Sequence, residues 1–368
     1  MPRDPVVSVS ILVIDSGENL AACLESIRGT ASGALSFEVL VTANGAPPEA
    51  LARLDGRDDI VLIRSSVNLG FGGGHNWASR FARCRYLLLL NDDATVEPGW
   101  MESLVRTAER NPRAAAVGSR VLYPDGTLQE AGAIIWGDGS SERVGRSLPA
   151  GTVELGTVRP VEYCSACSLL VRRDAWDAVA GFDSEYFPAY YEDADLCFRL
   201  RERDFDILYD PGSRVLHLES GSTDPTWRIF VSETNRSVFV RRWEAQLAVH
   251  EPAPRPEDLD AAVHRSCRRL DERPSLLAVA RDGNPNLDIV PAGVAGFSEH
   301  IWLAHPERLD RLALNRLGER GVALLDGGQR SLQSVLSWGW DRVMELDPRG
   351  DVDLAEPALG RAGPKAPS

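Results

Sequence analysis

Residues 87–93 have the sequence Leu-Leu-Leu-Leu-Asn-Asp-Asp, and this stretch decides the fold class. A short apolar run that ends in polar residues is typical of a strand buried in a parallel sheet. In open α/β sheets, ligands bind beyond the carboxyl ends of such strands. Asp92 and Asp93 repel each other at that point, so a divalent cation would stabilise them. The alternative is a polar turn that caps a helix starting near Pro98, and this segment alone gives the two interpretations equal weight.

The chain around this stretch alternates between strand-like and helix-like segments. An α/β fold with a mostly parallel sheet and helices on both faces follows from that order. The predicted strands are Val7–Ile14, Phe37–Val41, Ile60–Ile63 and Tyr86–Leu90, and the predicted helices are Glu18–Arg28, Glu49–Leu54 and Asn76–Arg83. Farther along, residues 227–249 have the composition of a single helix that carries several arginines.

The proline-rich stretch after residue 250 suggests a domain boundary. We expect one domain over residues 1–250, a linker and helix over 251–274, and a small α/β domain over 275–346. Residues 347–368 are rich in Pro, Gly and Ala, and we expect them to be a disordered tail.

The composition excludes several classes of protein. The chain has 368 residues, 43% of them hydrophobic, and a net charge of −14, which argues against a nucleic-acid binder. It has no apolar run long enough to cross a membrane and no signal-peptide pattern at its start, so a cytoplasmic protein is expected. Six scattered cysteines suggest reduced thiols. Cys164 and Cys167 form a C-x-x-C, but without a second pair they favour neither a zinc nor a redox site.

Three polar segments are candidates for chemistry. Four glycines within residues 68–76 would expose backbone amides directly ahead of a helix, a geometry suited to a diphosphate. Residues 190–195, Tyr-Tyr-Glu-Asp-Ala-Asp, place acids beside aromatic rings that can raise a carboxyl pKa toward that of a general base, although helix capping explains them equally simply. His217 ends a predicted strand, where it could ligate a divalent ion or serve a structural role.

The order of these segments is what the chain shares with a known family. It resembles the family-two inverting glycosyltransferases with the GT-A nucleotide-sugar fold, a Rossmann-like α/β fold, and especially the bacterial rhamnosyltransferase-like group. The resemblance rests on five segments within about residues 6–245: NLGFGGGHN (68–76), YLLLLNDDATVEPGW (86–100), LYPDGTLQEAG (122–132), GFDSEYFPAYYEDADLCFRLR (181–201) and VLHLESGS (215–222).

The resemblance implies roles for individual residues. Asp93 is implied as a direct ligand of Mg2+ or Mn2+, and His217 matches a late histidine that reaches the metal–diphosphate. Asp193, or Glu192 beside it, matches the acid that deprotonates the acceptor hydroxyl. The residues expected to bind the nucleotide-sugar donor are Asp15, Asn44, Asn68, Gly72, Gly73, Asn76, Asn91 and Asp92.

The chain departs from the family pattern at three places. Val13-Ile14-Asp15 replaces a motif like N-Y-N, and Ala43 stands where relatives have an Asp that reads the pyrimidine base. Residues 163–167, Tyr-Cys-Ser-Ala-Cys, replace a glycine-rich acceptor strand. The sequence therefore does not identify the nucleotide of the donor.

The prediction is a metal-dependent inverting glycosyltransferase, with dTDP-rhamnose or a UDP-sugar as the leading donors. Its partners would be the nucleotide sugar and a glycan, lipid-linked or small-molecule acceptor, with no nucleic acid, and a homodimer is one expected assembly. The alternative is a catalytically inactive binding or assembly protein that retains the GT-A fold. The resemblance does not extend to the C-terminal unit, which could bind an acceptor, bind a partner or form a dimer interface.

Overall fold

The chain folds into two compact units in this computed structural model. The structure describes residues 5–15, 19–30, 33–152, 155–219, 224–270, 275–280, 298–303, 323–326, 332–336, 342–346 and 352–355. The first unit comprises Met1–Thr152 and Val158–Leu270, and the second comprises Val153–Thr157 and Asp271–Ser368. The helix within the predicted linker therefore belongs to the first unit.

The first unit consists of alternating strands and helices. Its strands are β1 (Val7–Val13), β2 (Phe37–Asn44), β3 (Val61–Ser65), β4 (Tyr86–Asn91), β5 (Ala94–Val96), β6 (Ala114–Leu122), β7 (Leu128–Glu130), β8 (Ala133–Ile135), β9 (Ser141–Arg143), β10 (Arg159–Pro160), β11 (Ser168–Arg172) and β12 (Asp206–His217). Its helices are α1 (Leu20–Thr30), α2 (Pro48–Leu54), α3 (Gly70–Ser79), α4 (Trp100–Arg110), α5 (Arg173–Ala178), α6 (Glu192–Arg201), α7 (Pro225–Arg242), α8 (Glu244–Leu247) and α9 (Leu259–Arg269).

One large sheet organises this unit, with strand order β10-β12-β6-β11-β4-β1-β2-β3. Strands β1, β2, β3 and β4 are parallel neighbours, and β6 is parallel to β12. Strand β11 is antiparallel to both β4 and β6, so these two groups run in the same direction. The prediction of a mostly parallel α/β sheet is confirmed.

The two faces of the sheet are covered by different helices. Alternate residues of β1, from Val7 to Val13, join side chains of α1 and α4 in the main hydrophobic core. Helix α3 covers the opposite face, where Ala78 packs with Leu40 and Ile63. Among the residues that the structure describes, no helix has both the length and the apolar character needed to cross a bilayer.

The start of α3 differs from the prediction. We expected a glycine-rich turn followed by a helix from Asn76, but the helix begins at Gly70 and contains the glycines. Close packing explains their presence. A Cβ at Gly74 would lie 2.9 Å from Leu12 Cδ1, and one at Gly72 would lie 2.8 Å from Phe182 Cβ. These glycines allow the helix to approach its neighbours closely.

The long helix predicted over residues 227–249 is also interrupted. Helix α7 ends at Arg242, and α8 begins at Glu244. Trp243 between them leaves the helical conformation, with φ −106° and ψ 21°. Its indole Nε1 donates a hydrogen bond to the buried Asp195, 3.0 Å away, which ties the break to the core of the unit.

The second unit contains a five-stranded sheet of order β15-β14-β13-β16-β17 and one described helix. These elements are β13 (Ser275–Ala280), β14 (Ser298–Leu303), β15 (Ala323–Asp326), α10 (Leu332–Leu336), β16 (Arg342–Leu346) and β17 (Val352–Ala355). Strand β17 corrects the prediction of a disordered tail from residue 347, because Val352 and Leu354 alternate with acids and pair antiparallel to β16. Within the small α/β domain expected over residues 275–346, residues 281–297 and 304–322 lie outside the described residues.

Candidate active site

A cleft of about 630 Å³ lies at the carboxyl ends of strands β1, β2 and β4. Predicted site residues from distant parts of the sequence line this cleft together. They are Asp15, Asn44, Asn68, Asn91, Asp92, Asp93, Glu192, Asp193 and His217. The structure thus brings together nine of the twelve residues that the sequence suggested, and Gly72, Gly73 and Asn76 lie elsewhere.

Asp93 and His217 form the central pair of the cleft. Asp93 lies in the turn between β4 and β5, and β12 pairs with β5 so that His217 is opposite Ala94. His217 Nε2 lies 3.0 Å from Asp93 Oδ1 and 3.1 Å from Asn91 Nδ2. The backbone reinforces this arrangement, because the Leu218 amide donates to the Asp93 carbonyl at 3.2 Å.

Gln129 orients the imidazole of His217. Its Oε1 lies 2.6 Å from His217 Nδ1 and accepts a hydrogen bond from the Nδ1–H group. The other ring nitrogen, Nε2, is then directed at Asp93. Gln129 Nε2 in turn donates to Glu219 Oε2 at 3.3 Å. A partner of this kind fixes the tautomer of a metal-binding histidine. The family resemblance includes the segment that contains Gln129, but it implied no role for that residue.

The donor set of this pair suits a divalent cation. A carboxylate oxygen and an imidazole nitrogen are ligands of Mn2+, and Mg2+ commonly takes only one or two protein carboxylates and completes its shell with substrate phosphates. No cluster of three or more His, Cys, Asp or Glu side chains able to hold a metal occurs among the described residues. A bound nucleotide would therefore have to supply further ligands.

The carboxylates around Asp93 and His217 favour binding of positive charge, which the pKa values of these groups reflect. Burial lowers the pKa of His217, but Cys167 and Asp93 outweigh it and raise the value to about 11. Burial, Asp93 and Asp15 raise the pKa of Asp92 to about 7. Without a cation these groups retain protons that they would ordinarily lose, and a divalent ion would compete with those protons.

Glu192 and Asp193 are the first two residues of α6. Asp193 Oδ1 accepts from the Ala194 amide at 2.8 Å, and Oδ2 accepts from the Ala166 amide at 3.4 Å. Burial raises the pKa of Asp193, while these amides and Arg143 oppose the increase. Glu192 has no such support: its Oε2 has no hydrogen-bond partner among the described residues, and burial beside Asp193 raises its pKa well above the usual value. Asp193 is therefore the more readily ionised of the two.

The turn before α6 is held in a strained backbone conformation. Tyr190 and Tyr191 have φ values of 74° and 71°, which are uncommon for bulky residues and often mark functional sites. Asn235 on α7 stabilises this turn, because its Nδ2 lies within 3.0 Å of the carbonyl oxygens of Tyr186, Ala189 and Tyr190. Asn235 positions the two acids from a distant helix, and no local pattern in the sequence signals that role.

Asp195, the third acid of the segment, has a structural role. It is fully buried and accepts from Arg199 Nε at 2.6 Å, Tyr186 Oη at 3.1 Å and Trp243 Nε1 at 3.0 Å. These partners lock α6 to its neighbours. The three acids of residues 192–195 therefore have different environments that sequence alone does not distinguish.

The amides at the start of α3 are already satisfied by protein groups. Asn44 Oδ1 accepts from Leu69 N at 2.8 Å, and Asn68 Oδ1 accepts from Gly70 N at 2.8 Å. The Phe71 amide donates to the Pro188 carbonyl at 2.7 Å. The expectation that this loop offers free amides to a diphosphate is therefore wrong for these three positions, because Asn44 and Asn68 use their side chains to cap the helix.

The three predicted donor-binding residues outside the cleft have packing roles. Gly72 packs against Phe182, while Gly73 and Asn76 line a separate shallow cavity beside Trp176. Asn76 Nδ2 donates to the Phe182 carbonyl at 2.8 Å, and its Oδ1 accepts from the Phe182 amide at 2.9 Å. Helix α3 begins six residues earlier than expected and therefore contains Gly72, Gly73 and Asn76. None of the three lines the cleft.

His75, on the same helix, does line the cleft, although no pattern in the sequence singled it out. Its Nδ1 is 2.9 Å from Ser10 Oγ, and Nε2 has no hydrogen-bond partner among the described residues. Complete burial lowers the pKa of His75 to about 3, so the ring is neutral at physiological pH.

Comparison with known proteins identifies the family of this unit. The sequence profile described as Glycosyl transferase family 2 matches residues 8–175. Residues 8–175 are therefore similar to glycosyl transferase family 2. The O-antigen biosynthesis protein RfbC of Myxococcus xanthus is 31% identical over 59% of this chain and 18% of its own length. The N-acetylglucosaminyl-diphospho-decaprenol L-rhamnosyltransferase of Mycobacterium tuberculosis is 28% identical over 64% of this chain and 83% of its own length.

The fold of the family 2 domain has a counterpart among solved structures. The crystal structure of GalNAc-T7 with UDP, GalNAc and Mn2+ matches 66% of this chain and 48% of that chain, with a TM-score of 0.53 and 14% identity. The predicted GT-A fold is confirmed, and the match to the family 2 profile agrees with the predicted family. The chain spans 18% of the length of RfbC and 25% of the length of protein y4gI of Sinorhizobium fredii, which is 30% identical over 60% of this chain.

Proposed function

We propose that this chain is a metal-dependent inverting glycosyltransferase that moves a sugar from a nucleoside-diphosphate donor to an acceptor hydroxyl. One observation carries the proposal: the Asp93–His217 pair and the Asp193 carboxylate line the same cleft of a family 2 domain. Such a transfer requires charge neutralisation on the leaving diphosphate and a base for the acceptor hydroxyl. A single displacement at the anomeric carbon inverts its configuration.

Asp193 is the proposed general base. Its carboxylate would accept the proton of the acceptor hydroxyl as that oxygen attacks the sugar. The Ala194 and Ala166 amides orient the carboxylate, and Arg143 favours its ionised form. Burial and the Asp193 charge raise the pKa of Glu192 beside it, which favours the protonated form of Glu192.

Asp93 Oδ1 and His217 Nε2 would hold a divalent ion, Mg2+ or Mn2+, with Gln129 orienting the imidazole. When bound, such an ion neutralises the charge of the departing diphosphate. Asp92 and Asp15 add negative charge to the same part of the cleft.

The favoured donors are dTDP-rhamnose and UDP-sugars. The mycobacterial relative is named as an L-rhamnosyltransferase, and GalNAc-T7 was crystallised with UDP, which supports both choices. Ala43, buried near the end of β2, offers no polar side chain to a nucleobase, so the chain must select its nucleotide differently from relatives that have Asp there. A glycan, a lipid-linked sugar or a small molecule would accept the transferred sugar.

Calorimetric titration with UDP and dTDP tests the proposed site. We expect binding that requires Mn2+ and that is lost in Asp93→Asn, because the variant removes a charged ligand. Glu25→Gln, which removes an exposed carboxylate from α1, is the matched control and should bind as the parent does. Metal-independent binding, or none to any nucleotide, would favour the alternative of an inactive binding protein.

Arg143 should influence the pH at which the activity falls on the acidic side of the pH profile of kcat/KM. Because the pKa of Asp193 is raised and Arg143 lowers it, activity should fall as the pH drops through that raised pKa. Arg143→Gln removes the opposing charge, so the limb of kcat/KM against pH should move to higher pH.

Arg143→Lys keeps the charge and is the control for this shift. It should leave the acid limb near its original position even if kcat declines through the loss of the 2.9 Å contact with Glu219. An equal displacement in both variants would indicate that the shift arises from altered packing and not from the charge.

A further inference from the structure

Glu219, two residues beyond the end of β12, places its carboxylate among hydrogen-bond donors beside the Asp93–His217 pair. Tyr123 Oη and Gln129 Nε2 donate to Glu219 Oε2 at 3.0 and 3.3 Å, respectively. Arg143 Nη1 donates to Oε1 at 2.9 Å. The Glu219 side chain is only 25% exposed, so protein groups and not water surround most of it. Both carboxylate oxygens therefore have protein partners.

The backbone of Glu219 has a conformation that residues with a side chain rarely adopt. Its φ is 48°, in the left-handed region where residues other than glycine are uncommon. The preceding residue is anchored by the hydrogen bond from the Leu218 amide to the Asp93 carbonyl. Such conformations persist where surrounding contacts compensate their cost, and they cluster at functional sites. The three donors to the carboxylate supply contacts of this kind.

The carboxylate of Glu219 determines which end of the Gln129 amide faces His217. An ionised carboxylate only accepts hydrogen bonds, so Gln129 must present its NH2 group to Glu219. The amide oxygen is then the atom that faces His217 Nδ1, at 2.6 Å. Because this oxygen can only accept, Nδ1 must carry a proton. Among the described residues, Glu219 and His217 are the hydrogen-bond partners of the Gln129 side chain.

The opposite orientation of the Gln129 amide is incompatible with a metal ligand at His217. The NH2 group would donate to Nδ1, and the single proton of the neutral ring would then be on Nε2. That nitrogen lies 3.0 Å from Asp93 Oδ1, where a cation would have to bind. A protonated ring nitrogen has no lone pair to offer the cation. The hydrogen bond from Gln129 to Glu219 therefore controls whether His217 can serve as a ligand.

We infer that Glu219 is a positioning residue for the metal site. Its carboxylate fixes the amide of Gln129, and this amide keeps the Nε2 lone pair of His217 available to a divalent cation. The inference rests on the proposed function and adds a residue that acts without contacting the cation. Because both oxygens of Glu219 already accept hydrogen bonds from protein groups, direct ligation by Glu219 is the weaker alternative.

Replacing Glu219 with Gln tests this role with little change in shape. Arg143 requires the one remaining oxygen, so the new amide would present its NH2 group to Gln129 and favour the reversed orientation. The Mn2+ concentration for half-maximal binding of UDP or dTDP should rise about 10- to 100-fold, the usual effect of losing a group that orients a metal-binding histidine. Calorimetric titration of the full chain at a series of Mn2+ concentrations measures this change.

Exchanging the two side chains distinguishes positioning from a general structural role. In the double variant Gln129→Glu with Glu219→Gln, the carboxylate at position 129 would accept from His217 Nδ1 and from the new amide. The proton is again required on Nδ1, so the Mn2+ requirement should return close to the parental value. A double variant as impaired as Glu219→Gln would overturn the inference, because neither a direct ligand nor a purely structural carboxylate can be moved to position 129.

Glu97→Gln is the matched control for these variants. Glu97 Oε2 accepts from Arg214 Nε at 2.8 Å, so the change also removes a carboxylate paired with an arginine, but Glu97 is not among the described residues that line the cleft. It should need the parental Mn2+ concentration. An unchanged Mn2+ requirement in Glu219→Gln would show that this inference alone is wrong. If the parent binds neither nucleotide in a Mn2+-dependent manner, the proposed function is wrong and the inference fails with it.

Discussion

Replacing Asp193 with Asn is expected to reduce sugar transfer by about 10²- to 10⁴-fold, the usual contribution of a general base. Asparagine has nearly the same shape and can keep the shorter hydrogen bond from the Ala194 amide through its single oxygen, but it loses the 3.4 Å contact with the Ala166 amide and cannot take a proton. Nucleotide affinity and the midpoint of thermal unfolding should stay close to the parental values. Steady-state kinetics with the active donor, together with calorimetric titration of the nucleotide, would measure both effects.

Glu192→Gln is the matched control for this change. Burial and Asp193 raise the pKa of Glu192 well above its usual value, which favours the neutral carboxyl. The amide therefore mimics its working state, and a loss of less than ~10-fold is expected, smaller than that of a general base. A severe loss of sugar transfer in Glu192→Gln, with full activity in Asp193→Asn, would show that Glu192 and not Asp193 is the general base.

Replacing Asp195 with Ala is expected to lower the free energy of unfolding by about 3–5 kcal/mol, the usual cost of removing one partner from a buried ion pair. The Arg199 guanidinium would lose its carboxylate in the interior, and Tyr186 Oη and Trp243 Nε1 would lose their acceptor. Urea unfolding followed by circular dichroism would measure the difference.

Asp177→Ala provides the comparison for Asp195. Asp177 also pairs with an arginine four residues away, Arg173, but its side chain is 55% exposed. Exposed pairs contribute at most about 1 kcal/mol, so this variant should remain near the parental stability. Similar losses in the two variants would show that burial does not control the energetics of these pairs.

Much of the fold was predictable from local patterns. The apolar run of residues 87–90, its polar ending and the alternation of segments around it depend on residue type and spacing, which the sequence displays directly. The beginning of α3 was not predictable in this way. Glycines generally weaken a helix, and only the proximity of Leu12 and Phe182 explains why Gly72 and Gly74 occur within one.

The residues of the candidate site were also only partly predictable from local patterns. Acids that follow a strand or precede a helix are visible in the sequence, so Asp93, Glu192 and Asp193 were found. Gln129 and Asn235 were not assigned roles, because each acts through a hydrogen bond to a residue more than 40 positions away. Interactions of this kind leave no periodicity or spacing to detect.

The sequence by itself determined the fold class and the positions of the candidate acids, because these depend on short-range patterns of polarity. Only the tertiary structure decided how the acids differ. The pairing of β12 with β5 places His217 against Asp93, and burial against Arg199 makes Asp195 structural while Asp193 faces the cleft. The physical reason is that protonation and pairing depend on burial and on partners distant in the chain, which sheet register and helix packing bring together.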